Sequence, residues 1–178
     1  MMRSMRSYMS ACLYIAAALS IISACRQSPE IPEIPADYGN WNVATETLLN
    51  YPVPGHEDHF RRIYISPSGE KINVTSKNGR VYCEFPEGAV IVKEIYMGLE
   101  EPTSQERPIL LTVMIKDSDH PESRNGWVWL SQNYTTKETH LIDYEYCADC
   151  HANANESHPY GDKNPDNEFR DYVYFPPR

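Results

Sequence analysis

Between residues 61 and 146 the chain carries six stretches rich in Val, Ile, Tyr and Trp, at 61–66, 80–85, 89–96, 109–116, 126–130 and 139–146. Clusters of Gly, Pro, Asn and Asp part them, and no helical spacer lies between them. Parallel pairing needs long crossovers, usually helices, so strands that follow one another this closely pair antiparallel. The fold class is α+β, mainly β: an antiparallel sheet with a few short helices at its ends. One helix is predicted ahead of the sheet, over 37–51. There Tyr38, Trp41, Thr45, Leu48 and Leu49 fall near one helical face, and Pro52 and Pro54 stop it.

The N-terminal residues read as an address rather than as part of that sheet. Arg3 and Arg6 precede an apolar run over 11–24 that is too short for a comfortable membrane span. The run ends in Ile22-Ser23-Ala24-Cys25, which resembles a bacterial lipobox; an ordinary signal peptide cleaved nearby is the alternative. The expected organisation is a lipoprotein signal peptide over 1–24, a Pro-rich linker over 25–36 from a lipidated Cys25, and a folded domain over 37–178. Pro29, Pro32 and Pro35 favour an extended spacer, with about 40 Å of reach at roughly 3.1 Å per residue. The expected location is outside the cytoplasm, lipid-anchored to the outer membrane and facing the periplasm. A formal net charge of −9, more negative still without Arg3 and Arg6, argues against a nucleic-acid partner, because phosphate binding needs basic surface.

Near the other end stands CADCH, with Cys147, Cys150 and His151 in the arrangement C-x-x-C-H. Three chemistries use such a pattern. Structural zinc wants four N or S ligands, typically from two half-sites, and only His158 could join this one locally. A redox dithiol belongs near the start of a βαβ unit, which this β-rich chain lacks. The third is covalent c-type haem, in which both thiols bond the macrocycle and the adjacent His151 binds the iron. Export suits the third. Cys83 stands alone in "RVYCEF" and reads as core filler. Little chain follows His151, so upstream strands must build most of the pocket. No methionine follows it either, and Met97 and Met114 are the only ones beyond the leader. Unless one of them reaches back, the iron keeps an open position suited to small-molecule binding or chemistry.

The stretch over 89–96 holds a second anomaly. Alternation puts Ala89, Ile91, Lys93 and Ile95 on one face and Val90, Val92, Glu94 and Tyr96 on the other. Both faces are largely apolar, as in a central strand. Lys93 and Glu94 therefore sit where charge is costly unless paired or used; snorkelling at a half-covered strand is the plainer reading of Lys93.

FPEGAVIVKE, GWVW, CADCH followed by HANAN, and a terminal DYVYF, in that order, resemble the cytochrome P-460 family over roughly residues 37–178. The resemblance implies a mainly β, usually dimeric fold with one covalent C-terminal haem c. It implies for Lys93 the role of the lysine that the catalytic members bond to a haem meso carbon. Those members oxidise hydroxylamine to nitrous or nitric oxide and pass electrons to a soluble redox partner. Cytochrome c′-beta proteins share the fold without the bond and bind nitric oxide; a simple electron carrier is a further alternative. The family also suggests a distal carboxylate shortly before the motif, with Asp143 and Glu145 as candidates and His140 as the other titratable group there. His56 and His59 lack a third ligand and read as surface loop residues.

Overall fold

The computed structural model describes residues 29–175 apart from 46, 57, 58, 99, 143 and 144. Cys25, residues 1–24 and Asp143 thus lie outside the described residues. The chain divides into two units, Met1–Glu30 and Ile31–Arg178, and the second carries the fold. Its strands are β1 (Asn42–Val43), β2 (His59–Ile65), β3 (Asn73–Lys77), β4 (Arg80–Glu84), β5 (Val90–Met97), β6 (Leu110–Lys116), β7 (Trp127–Asn133) and β8 (Thr139–Leu141). One α-helix follows, α1 (Tyr146–Ala152), and a 3-10 turn, Asn153–Asn155, continues it. Six strands form one antiparallel sheet in the order β1-β2-β5-β6-β7-β8, and β3 and β4 form a separate hairpin. The expected class holds. No helix among the described residues is long and apolar enough to cross a membrane.

β5 is central, flanked by β2 and β6. Each row of Cα partners across the sheet shares a face, so the strand patterns sort themselves into two apolar layers. Ile91, Met114 and Trp129 share one row, and their face joins Ile65, Phe85, Trp127, Ala148 of α1 and Val173 in one cluster. Val92, Val113 and Leu130 share the next, and their face packs with Tyr64, Leu111, Val128 and Tyr38. Glu94 lies on this second face, 7 % exposed. Three phenols donate to its carboxylate: Tyr38 at 3.0 Å, Tyr64 at 3.3 Å and Tyr96 at 2.6 Å. Burial and the Glu94 charge hold the Tyr38 and Tyr96 phenols above their ordinary range, so they stay protonated as donors. The burial cost foreseen for Glu94 is thus met by hydrogen bonds.

Two expectations are corrected. The helix over 37–51 does not form. A 3-10 turn, Tyr38–Asn40, leads instead into β1 on the sheet edge, and Leu49 bridges to Arg61. Gly39, Asn40 and Asn42 are weak helix formers, and Val43, Thr45 and Thr47 are β-branched. Their backbone finds partners on β2 instead, where Ala44 N–H donates to Ile63 and Leu49 N–H to Arg61. The strand over 139–146 ends at Leu141. After Ile142 N–H donates to Trp129 the chain leaves the sheet edge, and α1 begins four residues later at Tyr146. The hairpin's first strand, β3, went unpredicted because every residue in it is exposed and no apolar alternation marks it. The Asn78-Gly79 pair between partners Lys77 and Arg80 was its signal: both take φ near +53° and +80°, as a two-residue hairpin turn requires.

Candidate functional site

Cys147, Cys150 and His151 occupy positions i, i+3 and i+4 of α1, which puts all three on one helical face. All three line a cavity of about 510 Å³ between α1, the C-terminal segment and the Ile91 face of the sheet. Ile63, Ile91, Ile95, Leu110, Met114 and Trp129 supply apolar wall. The volume falls within the range of cofactor sites. Met114 therefore does reach this cavity, whereas Met97 is 61 % exposed at the end of β5. A more open depression of about 590 Å³ between residues 47–52 and 159–161 holds none of the motif residues.

His151 is oriented from behind. Its Nδ1 lies 2.8 Å from the Tyr172 carbonyl, which can only accept, so Nδ1 carries the proton and Nε2 is left as the ligating nitrogen. The rings of Trp129 and Tyr174 meet it edge-on at 4.8 and 5.4 Å. Burial, then the charge of Lys93, pushes His151 down to about 4 against the opposing hydrogen bond, which keeps the imidazole neutral as a metal ligand must be.

The carbonyl behind His151 is itself held by residues whose sequence role was obscure. Asp171 and Tyr172 both take positive φ, +48° and +68°, a conformation that L residues keep only when their surroundings enforce it. The Asp171 carboxylate accepts from Phe85 N–H at 2.9 Å and from Lys116 Nζ at 2.7 Å, and its carbonyl accepts from Trp127 Nε1–H at 2.9 Å. The buried Asn155 side chain accepts from the N–H groups of Arg170 and Tyr172, both at 3.0 Å. HANAN, GWVW and DYVYF, far apart in sequence, thus meet in one network behind the axial histidine. Tyr174 O–H closes it by donating to Cys150 O at 2.9 Å. Tyr174→Phe is expected to cost about 1 kcal/mol in chemical denaturation, the scale of one hydrogen bond, because Asn153 still serves the Cys150 carbonyl.

Lys93 reaches the same cavity from β5. Its Nζ lies 2.7 Å from Nε2 of His56, which also lines the cavity. Burial, then the charge of Arg61, lowers Lys93 to about 7, opposed by the Cys147 and Cys150 thiols. Burial and then Lys93 itself push His56 down to about 3. His56 is therefore neutral and accepts the hydrogen bond. Sequence reasoning missed this residue: as half of a histidine pair it lacked a third metal ligand, and nothing local linked it to Lys93, 37 residues on. His59 instead contacts Met97 Sδ at 3.0 Å. Because the folded chain refuses a proton at His56 that the unfolded chain accepts, stability falls as pH drops from about 6.5 towards 3. Thermal unfolding between pH 7 and 4 is expected to show a shallower loss in His56→Gln, by up to about 1.4 kcal/mol per pH unit.

Glu145 is exposed at the N-terminal cap of α1 and does not line the cavity. His140, on the edge strand β8, pairs with Glu138 at 3.3 Å in the open. Cys147 and Cys150 carry no disulfide, and Cys83 is buried on β4, as core filler should be. Among the described residues no three His, Cys, Asp or Glu side chains gather to hold a metal ion, so the zinc alternative finds no cage.

Two thiols and a neutral, rear-anchored imidazole on one helical face, opening on a largely apolar cavity, make a donor set that fits haem and define a haem-binding β domain of the c type. The chain belongs to the Cytochrome P460 family, whose model matches residues 35–175. Its cofactor is haem. No curated protein matches the chain.

Proposed function

We propose that the protein is a cytochrome P-460 that oxidises hydroxylamine to nitrous or nitric oxide. The observation that carries this reading is the delivery of Lys93 Nζ into the cavity that Cys147, Cys150 and His151 line. Cys147 and Cys150 would bind one haem covalently, His151 Nε2 would ligate its iron, and the Lys93 amine would form a third bond to the macrocycle. When bound, haem supplies an iron that holds the substrate and accepts its electrons, with electronics set by ligand, burial and ring distortion. The chain's own residues do the rest. Burial keeps His151 neutral while the Tyr172 carbonyl fixes which ring nitrogen carries the proton, and apolar side chains form most of the cavity wall. The imidazole of His56, neutral and inside the cavity, accepts the Lys93 hydrogen bond and so positions that amine. Asp143, just before α1 in the sequence, is the candidate acceptor of the protons that hydroxylamine gives up.

A lipid on Cys25 would anchor the domain to the outer membrane, facing the periplasm. Electrons would pass to a soluble redox partner, and the domain would work as a homodimer.

A nitric oxide binder of the c′-beta kind is the second reading, favoured by the apolar cavity walls. One experiment separates the two. Steady-state turnover of hydroxylamine with an artificial electron acceptor, read beside the ferrous absorption spectrum, is expected to show oxidation and a far-red-shifted Soret band. An ordinary ferrous spectrum with tight nitric oxide binding and no turnover would instead select the second reading.

A further inference from the structure

Arg61 is 3 % exposed, yet it lines the cavity. Its Nε donates to Leu49 O at 3.5 Å, its Nη2 to Tyr51 O, and its guanidinium stands over the Tyr51 ring at 5.0 Å. These contacts fix the plane of the guanidinium but neutralise no charge. Among the described residues no carboxylate pairs with it. Nor, among the described residues, does any Asp or Glu appear in the cavity wall, where Arg61 and Lys93 are the basic side chains besides the histidines. A buried cation left in this state is costly, and a fork of N–H donors is the group best matched to a carboxylate. Haem brings two propionate carboxylates into the protein, and these need partners as much as Arg61 does. Lys93 is already engaged with His56.

We propose that Arg61 anchors the haem by pairing its guanidinium with one propionate carboxylate. The inference rests on the haem that the family carries and not on hydroxylamine as substrate, so it stands or falls separately from the proposed activity. The titratable and charged groups around the pair are Tyr51 with Asp162 beyond it, His56 with His59 beyond it, and Lys93, which feels the Arg61 charge. Asp162 is held by Arg170 at 2.8 Å and does not line the cavity. Among the described residues no carboxylate of the cavity wall competes with the propionate for Arg61.

The test is the reduction potential of the haem-loaded full chain as a function of pH. In the wild type one propionate is held ionised by Arg61, so only the other titrates and the potential carries a single pH-dependent segment in acid. Arg61→Gln is expected to lower the potential, because an unpaired propionate charge favours the ferric state. It is also expected to add a pH-dependent segment where that propionate now takes up a proton. Arg61→Lys, which restores the charge, is expected to return most of both properties. A measurement on the wild type alone covers a variant that fails to fold. The infrared band of the protonated acid is expected from only one propionate at about pH 4, the ordinary range for such acids. Bands from both, or an Arg61→Gln potential that matches wild type at every pH, would overturn the proposal. So would a wild-type potential that depends on added nitrite through Arg61, since that would make a free oxyanion its partner.

Discussion

Lys93→Ala is expected to yield a folded protein that still carries its haem on Cys147 and Cys150 but has lost hydroxylamine oxidation. A fall in kcat/KM of two orders of magnitude or more is anticipated, about 2.7 kcal/mol or more at 1.36 kcal/mol per tenfold. Two features place the loss in the chemistry rather than in the fold. Lys93 faces the cavity, while the apolar neighbours that hold β5 in the sheet, Val92 and Ile91, are untouched by the change. Among the described residues the lysine makes no ion pair, and it hydrogen-bonds the neutral His56. Removing it leaves no buried charge behind, so the usual reason for collapse after cutting a buried cation is missing. Lys93→Met keeps the length and apolar stem of the side chain and separates loss of the amine from loss of volume. Both variants are expected to show an ordinary ferrous spectrum. Activity that survives in Lys93→Met would remove the amine from the mechanism.

Asp171→Ala is expected to be the most destabilising change in the site, at about 3–5 kcal/mol. That is the cost of deleting one partner of a buried pair and leaving the Lys116 charge uncompensated. The same change orphans Phe85 N–H, and it forces alanine to hold a φ of +48° that Asp tolerates better. Asp171→Asn keeps the shape and the backbone preference, so the difference between the two variants isolates the backbone part. Lys116→Met in the Asp171→Asn background is expected to recover stability, because the stranded cation is then gone. The effect reaches function through the next residue. Tyr172 O holds the proton of His151 Nδ1, and a displaced carbonyl is expected to show as mixed axial ligation in the ferric spectrum. Urea unfolding gives the energies. Asp171→Ala with wild-type stability and an unchanged spectrum would contradict this account of DYVYF.

Residues differ in how much of this the amino-acid order discloses. The sheet was readable because β5, β6 and β7 alternate or run apolar for seven or eight residues, and side-chain period two is a local property. The two faces of β5 were readable for the same reason. The segment over 37–51 misled because a helical spacing of apolar residues competed with a free sheet edge, and the edge is tertiary information. The partners of the site were the least legible. Glu94 is met by Tyr38, 56 residues earlier, Lys93 by His56, and His151 by a carbonyl whose position depends on Lys116 and Phe85. Each of these is a contact between segments with no common pattern. Arg61 opens the apolar stretch over 61–66 with nothing local to single it out, and its burial in the cavity wall is what gives it meaning.

Cys147, Cys150 and Lys93 are expected to act on one haem. Proteolysis of the purified chain followed by mass analysis of the haem-bearing peptides tests it most directly. One species is expected, in which the haem joins the Cys147–Cys150 peptide to the peptide that contains Lys93. Haem found only on the Cys147–Cys150 peptide, with Lys93 recovered as an unmodified lysine, would contradict it.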